Sequence, residues 1–578
     1  MCDVVFITPN MSGEPAEEVI GTLQLATILN QNQIDCEILQ FFLFGDVSDF
    51  DSFQAKAIQL LDEKKPKIIS FYTRCDSYHI DIRLAQLIKA RRKDVYVVFG
   101  GPQSDIAAAE TIAQIPQVDY ICCGEGETTV YPFFSSLLRG KPDLTVPGLC
   151  YRDGEGVVKN PRPQLIQDLD SLPFIDYDSF RFLRQMDKSD RGHFPIDVGR
   201  GCPFGCTYCS TKTFWGRKFR LKSPARIVQE VKKVHEKFGL VRFSLSHDMF
   251  TLHRDKVIET CSLLNTLDFP IEWKCSARLD CIDPELIDIM AASGMRRIFI
   301  GIETGSKRMQ KLINKNLKLD NAVEMIAYLK SKGISTTASF IFGFPEETEE
   351  DLSQTLFLIA ELLKLGSVEV RAHLCTFLAG TELSEKYISQ MTRTEQYSDV
   401  NGNYAIAECH DIIEEHPELF LHMLEYKSDM RTRLKFFKQF LRVWGYMQPV
   451  YGYLAEQYPA NRLIDMYYDF VDANREFLQE MGDLPSQQFL PLFIRHDRLP
   501  ERFSNIDHRD IIKDLYRLKI AETSQQVKNG GILTEIYCFD PAQRQRCASI
   551  REYKRCVAVT TISKDRTNSL IYPYVPNA

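Results

Sequence analysis

At 578 residues the chain is too long for one hydrophobic core, and at roughly 100–200 residues per domain it holds three or four domains. Its 44% hydrophobic and 26% charged residues are those of a soluble globular protein, which excludes a fibrous or disordered chain. The net charge of −8, with acids and bases mixed along the chain, argues against nucleic acid as a partner, and no apolar run approaches the ~20 residues that a membrane span needs.

The N-terminus, Met1 to Pro9, has no cationic region ahead of its apolar stretch, so it is expected to be a strand and not a signal peptide, and the expected location is cytoplasmic. The 17 cysteines are too many for chance surface use and too dilute for a secreted disulfide scaffold. Most are expected to be reduced, and those in apolar strands, such as Cys122 and Cys123, to act as small core residues.

In chain order, residues 1–140 alternate apolar runs with amphipathic stretches. The runs Val4–Pro9, Cys36–Phe41, Lys67–Thr73, Val95–Gly101 and Val118–Gly124 predict five strands. Glu17–Asn32, Phe53–Lys64, Ile80–Arg92 and Ala107–Ile115 predict helices between them. Continuous apolar strands separated by helices describe an α/β domain with a parallel sheet covered on both faces, doubly wound and Rossmann-like, whose ligand sits beyond the strand carboxyl ends. Residues 141–190 carry Pro142, Pro147, Pro161, Pro163 and Pro173 and predict a linker, with one hairpin pairing Leu149–Tyr151 with Val157–Lys159.

A second βα series spans 191–384. Strands are predicted at Pro195–Val198, Val241–Ser246, Glu272–Ala277, Arg297–Ile302, Ser335–Phe342 and Glu369–Phe377. Five helices lie between them, and Gly239, Gly294, Gly333 and Gly366 stand where C-terminal helix caps belong. Six strands and five helices imply a partial (β/α)6 barrel with its reactive groups at the strand carboxyl ends. From 385 to 578 the rhythm stops. This last domain is expected to be mostly helical over 411–530, as in Arg433–Tyr446 and Arg462–Met481, with strands at Ile532–Cys538 and Val557–Ile562.

The segment Gly199-Arg-Gly-Cys202-Pro-Phe-Gly-Cys206-Thr-Tyr-Cys209 is the most informative. Gly201 and Gly205 are expected to supply the positive φ of a tight loop, and Pro203 its first bend. A structural zinc site is closed by four ligands, and no fourth cysteine or histidine lies at the usual spacing. Three thiolates suit a 4Fe–4S cube that leaves one iron open. A structural zinc or core role for the triplet is the alternative.

This Cys-x3-Cys-x2-Cys loop, with Tyr208 before its last cysteine, resembles the signature of the radical S-adenosylmethionine superfamily. The resemblance implies that Cys202, Cys206 and Cys209 bind a 4Fe–4S cluster whose open iron chelates S-adenosylmethionine. One electron from an external reductant of flavodoxin or ferredoxin type then yields a 5′-deoxyadenosyl radical. Four further segments fall in the family's order at predicted strand ends. Asp248 in Ser-His-Asp-Met-Phe stands where the cobalamin-linked branch has Asp-Asp-Asn-Phe, with His247 and Met249 as departures. Ser276 and Arg278 end the third strand and Glu303 the fourth. Phe344 lies in Phe-Gly-Phe-Pro-Glu-Glu-Thr, where Glu346 replaces the family's glycine. With Phe204 and Tyr208, these are the contacts to S-adenosylmethionine that the resemblance implies.

Phe99-Gly-Gly-Pro102 and Cys123-Gly-Glu-Gly-Glu-Thr128, together with Leu169–Pro173 and Gly216–Arg220, are similar to the branch in which a cobalamin-binding domain precedes the barrel. The residues implied to hold cobalamin are Ser70, Thr73, Gly100, Gly101, Gly124 and Glu125. The Asp-x-His-x-x-Gly motif of that domain type is absent, and Pro9-Asn-Met-Ser-Gly-Glu14 stands after the first strand. The resemblance implies methylation of an unactivated carbon in a small-molecule or peptide substrate. The alternatives are a radical rearrangement, cyclisation, ring contraction or epimerisation, or a sensor without turnover. Cys538, Cys547 and Cys556 suggest an auxiliary cluster less well than ordinary structure, as does Cys409-His410 a metal site.

Overall fold

The computed structural model describes residues 2–9, 20–154, 156–177, 192–365, 368–393, 405–428, 431 and 434, and the backbone of three strands between 533 and 573. By its internal packing the chain divides into two units, residues 1–298 with 376–426, and residues 299–375 with 427–578.

The first unit opens with β1 (Val4–Thr8), β2 (Cys36–Gln40), β3 (Ile68–Tyr72), β4 (Tyr96–Gly100) and β5 (Tyr120–Cys122), each within a predicted apolar run. They pair in parallel in the order β2-β1-β3-β4-β5, with Phe6 opposite Ile38 and Ser70, and Ser70 opposite Val98. Helices Ile20–Gln31 and Val130–Leu138 contribute to one core, with Phe6, Phe133 and Phe134 at its centre. Phe50–Lys64, Tyr78–Arg91 and Ala108–Gln114 contribute to the other, around Phe71, Tyr78 and Phe99. Burial on both faces is why these strands read as unbroken apolar runs.

The hairpin expected in the linker, β6 (Leu149–Asp153) and β7 (Gly156–Lys159), adds two antiparallel strands to this sheet through β5, so the sheet continues past the expected boundary at 140. A second addition was not visible in the sequence. Residues 405–423, placed in the expected C-terminal domain, bury Ile406, Cys409, Ile412, Ile413, Leu419 and Phe420 in the core of the N-terminal sheet. Cys409 is thus a core residue, and the neighbouring His410 pairs with Glu414 at the surface.

The barrel strands are β8 (Phe194–Asp197), β11 (Arg242–Ser246), β12 (Glu272–Ala277), β13 (Met295–Glu303), β14 (Ser335–Phe342) and β15 (Val368–Leu374), hydrogen-bonded in the order β15-β14-β13-β12-β11-β8. Between β8 and β11 the short strands β9 (Gly199–Arg200) and β10 (Arg220–Leu221) form an antiparallel ribbon. The connecting helices are Pro224–Phe238, Arg254–Leu264, Pro284–Ala292, Ala322–Ser331 and Glu349–Lys364, and a short helix, Lys307–Leu312, follows β13. The longest has a capping box, in which Thr348 and Asp351 satisfy each other's backbone N–H. β16 (Met391–Arg393) and β17 (Leu424–Tyr426) make a further antiparallel pair. At the end of the chain β18 (Leu533–Phe539), β19 (Cys556–Ser563) and β20 (Arg566–Pro573) form an antiparallel sheet that contains Cys538 and Cys556. Cys547 and the helices expected over 433–481 lie outside the described residues.

Candidate functional site

The three cysteines lie in the loop between β9 and helix Thr211–Trp215, beyond the carboxyl end of β8. The β9–β10 ribbon closes the base of this loop, with Arg200 opposite Arg220. Gly201 adopts φ +85°, and a Cβ there would meet the Lys218 carbonyl at 2.0 Å, so no other residue fits. Gly205 was expected to share this conformation but is not among the positive-φ glycines. Glycine permits that conformation without requiring it, and the bend is made at Gly201.

The residues after β11 hold the ribbon in place. Asp248 Oδ2 accepts the Gly201 N–H at 2.8 Å. His247 Nδ1 accepts the Met249 N–H at 2.7 Å, which leaves Nε2–H to donate to the Arg220 carbonyl at 3.1 Å. This pairing requires the neutral ring, and burial lowers its pKa accordingly. One departure in this segment therefore has structural work: the His247 ring ties β10 down, and the backbone N–H of residue 249, which any residue but proline would supply, fixes that ring.

Cys202, Cys206 and Cys209 are reduced and partly exposed. Burial, followed by the charges of Cys209 and Cys206, pushes the Cys202 thiol above its ordinary value, partly offset by a backbone hydrogen bond. Three thiolates in one loop repel, and a cationic metal centre cancels that repulsion. Among the described residues no three metal-ligating side chains converge on a single ion. A four-iron cube, which binds each thiolate at a separate corner, does not require convergence on one point. Three cysteine thiolates in one loop are a donor set that suits such a cluster.

After β12, Arg278 forms a two-point ion pair with Asp280, both bonds 2.9 Å, while its guanidinium lies 3.7 Å from the Phe204 ring centre. Phe204 is thereby fixed within the loop by a cation–π contact. Ser276 and Tyr208 are half-buried. On the other side of the loop the Leu383 N–H donates to the Thr207 carbonyl at 2.9 Å.

Two of the expected contacts, Glu303 and Phe344, lie in the second unit. Glu303 ends β13 at φ +69°, an uncommon conformation for a residue with a side chain, and such outliers cluster at functional sites. Its carboxylate is buried and meets Lys315 Nζ at 2.7 Å. A Cβ on Gly301 would lie 2.4 Å from the same carboxylate oxygen. Phe344 is buried after the Gly343 turn, whose N–H donates to Glu347 Oε2 at 2.5 Å. Burial pushes the Glu347 carboxyl up to about 8, and its Oε1 has no hydrogen-bond partner. Arg431 donates to the carbonyls of Gly343 and, at 3.2 Å, Cys375.

At the carboxyl end of the N-terminal sheet, Thr8 Oγ1 is buried without a hydrogen-bond partner, an acceptor and donor left for a ligand. Ser70 is buried and Gly100 half-exposed. The other expected cobalamin contacts have protein partners. Thr73 Oγ1 donates to the Gly100 carbonyl and accepts the Ser104 N–H, both at 3.0 Å. Gly101 packs against the Thr73 backbone, where a Cβ would come within 2.8 Å. The Gly124 N–H donates to Asp105 at 3.0 Å. Glu125 has both oxygens engaged, accepting from Arg200 at 2.6 Å, from Arg220 at 2.9 and 2.8 Å, and from the Ile166 N–H at 2.7 Å. Sequence reasoning missed Arg200, Arg220, Glu127 and Lys315. The first two flank the cysteine loop in segments already singled out, but Lys315 carries no local signal.

Residues 196–359 match the Radical SAM superfamily model, and residues 14–132 match the B12 binding domain model. An uncharacterised methyltransferase of Pyrococcus horikoshii is 28% identical over 305 residues, covering 52% of this chain and 65% of that protein. The anaerobic magnesium-protoporphyrin IX monomethyl ester cyclase of Rubrivivax gelatinosus is 27% identical over 323 residues, covering 54% of this chain and 57% of the cyclase. The chain thus spans less than two-thirds of the length of these relatives. Among solved structures, the cobalamin-dependent S-adenosylmethionine radical enzyme OxsB with aqua-cobalamin bound shares the fold at 16% identity and a TM-score of 0.59, covering 90% of this chain and 80% of OxsB. The B12 binding model implies cobalamin, and the Radical SAM model implies a 4Fe–4S cluster and S-adenosylmethionine. The chain thus carries a radical S-adenosylmethionine domain preceded by a B12 binding domain, in the expected order.

Proposed function

We propose that this chain is a cobalamin-dependent radical S-adenosylmethionine methyltransferase acting on an unactivated carbon of a small molecule or peptide. The observation that carries the reading is the three-cysteine loop beyond β8, tied through Arg200 and Arg220 to Glu125 beyond the carboxyl end of β5. When bound, the cluster with S-adenosylmethionine supplies a hydrogen-abstracting radical, and cobalamin supplies a methyl group that no cationic donor could place on such a carbon.

The chain's own residues do the positioning. Cys202, Cys206 and Cys209 supply three thiolates and leave one iron coordination site for the amino acid end of S-adenosylmethionine. Asp248 holds the mouth of that loop through Gly201, and its second carboxylate oxygen is the group proposed to meet the amino group. Arg278 orients Phe204, and Ser276, Tyr208, Glu303 and Phe344 are proposed as further contacts to S-adenosylmethionine. Thr8, Ser70 and Gly100 are proposed to meet cobalamin. The electron comes from a flavodoxin- or ferredoxin-type donor, and the proposed location is cytoplasmic. Among the described residues no helix is long and apolar enough to cross a membrane.

Anaerobically reconstituted protein, reduced and given S-adenosylmethionine and cobalamin, tests the reading. It predicts 5′-deoxyadenosine and S-adenosylhomocysteine together, and loss of iron and of both products in Cys202→Ala, Cys206→Ala and Cys209→Ala. Retention of iron and of S-adenosylmethionine cleavage in any of the three would reject it. A second reading, radical cyclisation without methyl transfer, is favoured by the similarity to the cyclase of Rubrivivax gelatinosus. It predicts 5′-deoxyadenosine without S-adenosylhomocysteine.

A further inference from the structure

Glu125 and Glu127 lie in the loop at the carboxyl end of β5 of the N-terminal sheet. Arg200 is two residues ahead of Cys202, and Arg220 faces it across the β9–β10 ribbon that closes the cysteine loop. These four side chains form one buried network. Arg200 reaches both glutamates, Arg220 reaches both oxygens of Glu125 and the Ile166 carbonyl, and the Trp215 ring lies 5.9 and 5.4 Å from the two guanidinium carbons. The Glu125 side chain is 1% exposed and that of Arg220 5%. Arg220 Nε and Nη2 have no hydrogen-bond partner, so Glu125 is its only counter-ion in the network. A second, more exposed thread runs beside the first. The Gly124 N–H bonds Asp105, which pairs with Arg162 at 2.6 Å, and Arg162 donates to the Thr213 carbonyl in the helix after the cysteine loop.

We propose that Glu125, Glu127, Arg200 and Arg220 are positioning residues that form a clamp, transmitting occupancy of the N-terminal ligand site to the cysteine loop and the reverse. Buried paired charges suit this role because they tolerate only one geometry, whereas an apolar contact of equal area slides. Both ends of the clamp are backbone segments one or two residues from a site: the 124–128 turn on one side and Arg200-Gly201-Cys202 on the other. Ordering either end therefore orders the other. The proposal rests on the functional reading above only for the identity of the ligands that the two ends hold.

Hydrogen exchange on the full-length chain tests it. The Ile166 N–H reports on the clamp from a distance, because it bonds Glu125 and lies 34 residues before Arg200. In ligand-free protein, Arg200→Gln should raise exchange at 124–128 and at Ile166 by about tenfold, and Glu127→Gln should raise it at 199–202. Glu127→Gln is the milder change, since among the described residues Glu127 pairs with Arg200 alone, and it serves if Arg200→Gln does not fold. In the second arm, aquacobalamin is added to anaerobically reconstituted protein. Wild type should gain protection at both 124–128 and 199–209. Glu127→Gln should still bind cobalamin, as judged by its absorption, while losing the protection at 199–209. Exchange that changes only in the substituted loop, or protection at 199–209 equal to wild type in the variant, would overturn the clamp. Failure of wild type to bind cobalamin would instead reject the functional reading, and the ligand-free arm would still decide the clamp.

Discussion

Two buried carboxyl groups, one in each unit, show how differently a fold can treat the same chemistry. Glu125 in the first unit is surrounded by donors: two arginines and a backbone N–H. Burial alone would raise its pKa, but the hydrogen bonds from Arg220 and Arg200 prevail and hold it below the ordinary value. Glu347 in the second unit has the Gly343 N–H on one oxygen and no partner on the other. There burial prevails, with Asp351 adding to it and Arg431 opposing it, and the carboxyl rises to about 8. The first is an anion locked in a network, and the second is a neutral acid at pH 7. Depth and donors both separate them: Glu347 is the more deeply desolvated and has a backbone N–H on one oxygen, while Glu125 is met by two cationic donors.

The comparison is most severely tested by Glu125→Gln. Removing one partner of a buried pair leaves the other charge uncompensated, which costs about 3–5 kcal/mol. Arg220, with two nitrogens already without partners, would then be the stranded charge. Denaturant unfolding of the variant should show a midpoint lowered accordingly. A loss below about 1 kcal/mol would mean that water already solvates the network.

Glu347→Gln should have the opposite sign at neutral pH. The unfolded carboxyl ionises near its ordinary value of 4.5, while the native one stays protonated to about 8. Wild type therefore loses stability as pH rises from 4.5 to 8, by at most about 1.4 kcal/mol per pH unit. The amide does not titrate, so the stability of the variant relative to wild type should rise between pH 5 and pH 8 and then level off. Thermal melts of both proteins across that range decide it, and a pH-independent difference would reject a neutral Glu347.

These two sites also mark how far the sequence could be read. The strands of the N-terminal sheet were legible because burial on two faces writes an unbroken apolar run, as in Val4–Thr8 and Tyr96–Gly100, whereas barrel strands such as Glu272–Ala277 alternate buried and half-buried residues. The cysteine loop was legible because its ligands are adjacent in sequence. The hairpin at 149–159 was predicted, but the prolines that flank it, Pro147 and Pro161, gave no sign that it extends the sheet. Residues 405–423 look like the start of a separate domain, and their burial in the core of the N-terminal sheet, with Phe420 against Tyr78 and His79, shows otherwise. Glu125 was placed at the correct strand end, yet its partners lie 75 and 95 residues further on, and no local pattern encodes an ion pair of that span. Lys315 is invisible for the same reason, 12 residues from Glu303 on the far side of a helix.

A gentler probe of the same contrast is the acid limb. The native pKa of Glu125 lies below its ordinary value of 4.5. Its contribution is therefore complete above about pH 4.5 and is lost as pH falls through the depressed native value. Between pH 5 and pH 3, wild type should lose more stability than Glu125→Gln, with the two curves converging at the acid end. Parallel curves would place the acid transition in other carboxylates.

The smallest effect belongs to a pair that resembles the others only on paper. Lys307 Nζ lies 2.5 Å from Asp320 Oδ1, closer than several contacts of the clamp, yet the two side chains are 74% and 67% exposed. Water and salt screen such a pair, and holding two long side chains in one geometry costs entropy that offsets the attraction. Lys307→Gln should leave the melting temperature within measurement error at physiological salt, and the result should not change with ionic strength. A measurable loss that vanished in high salt would show that proximity carries weight even in solvent. The distinction drawn from Glu125 and Glu347 would then need distance as well as depth and donors.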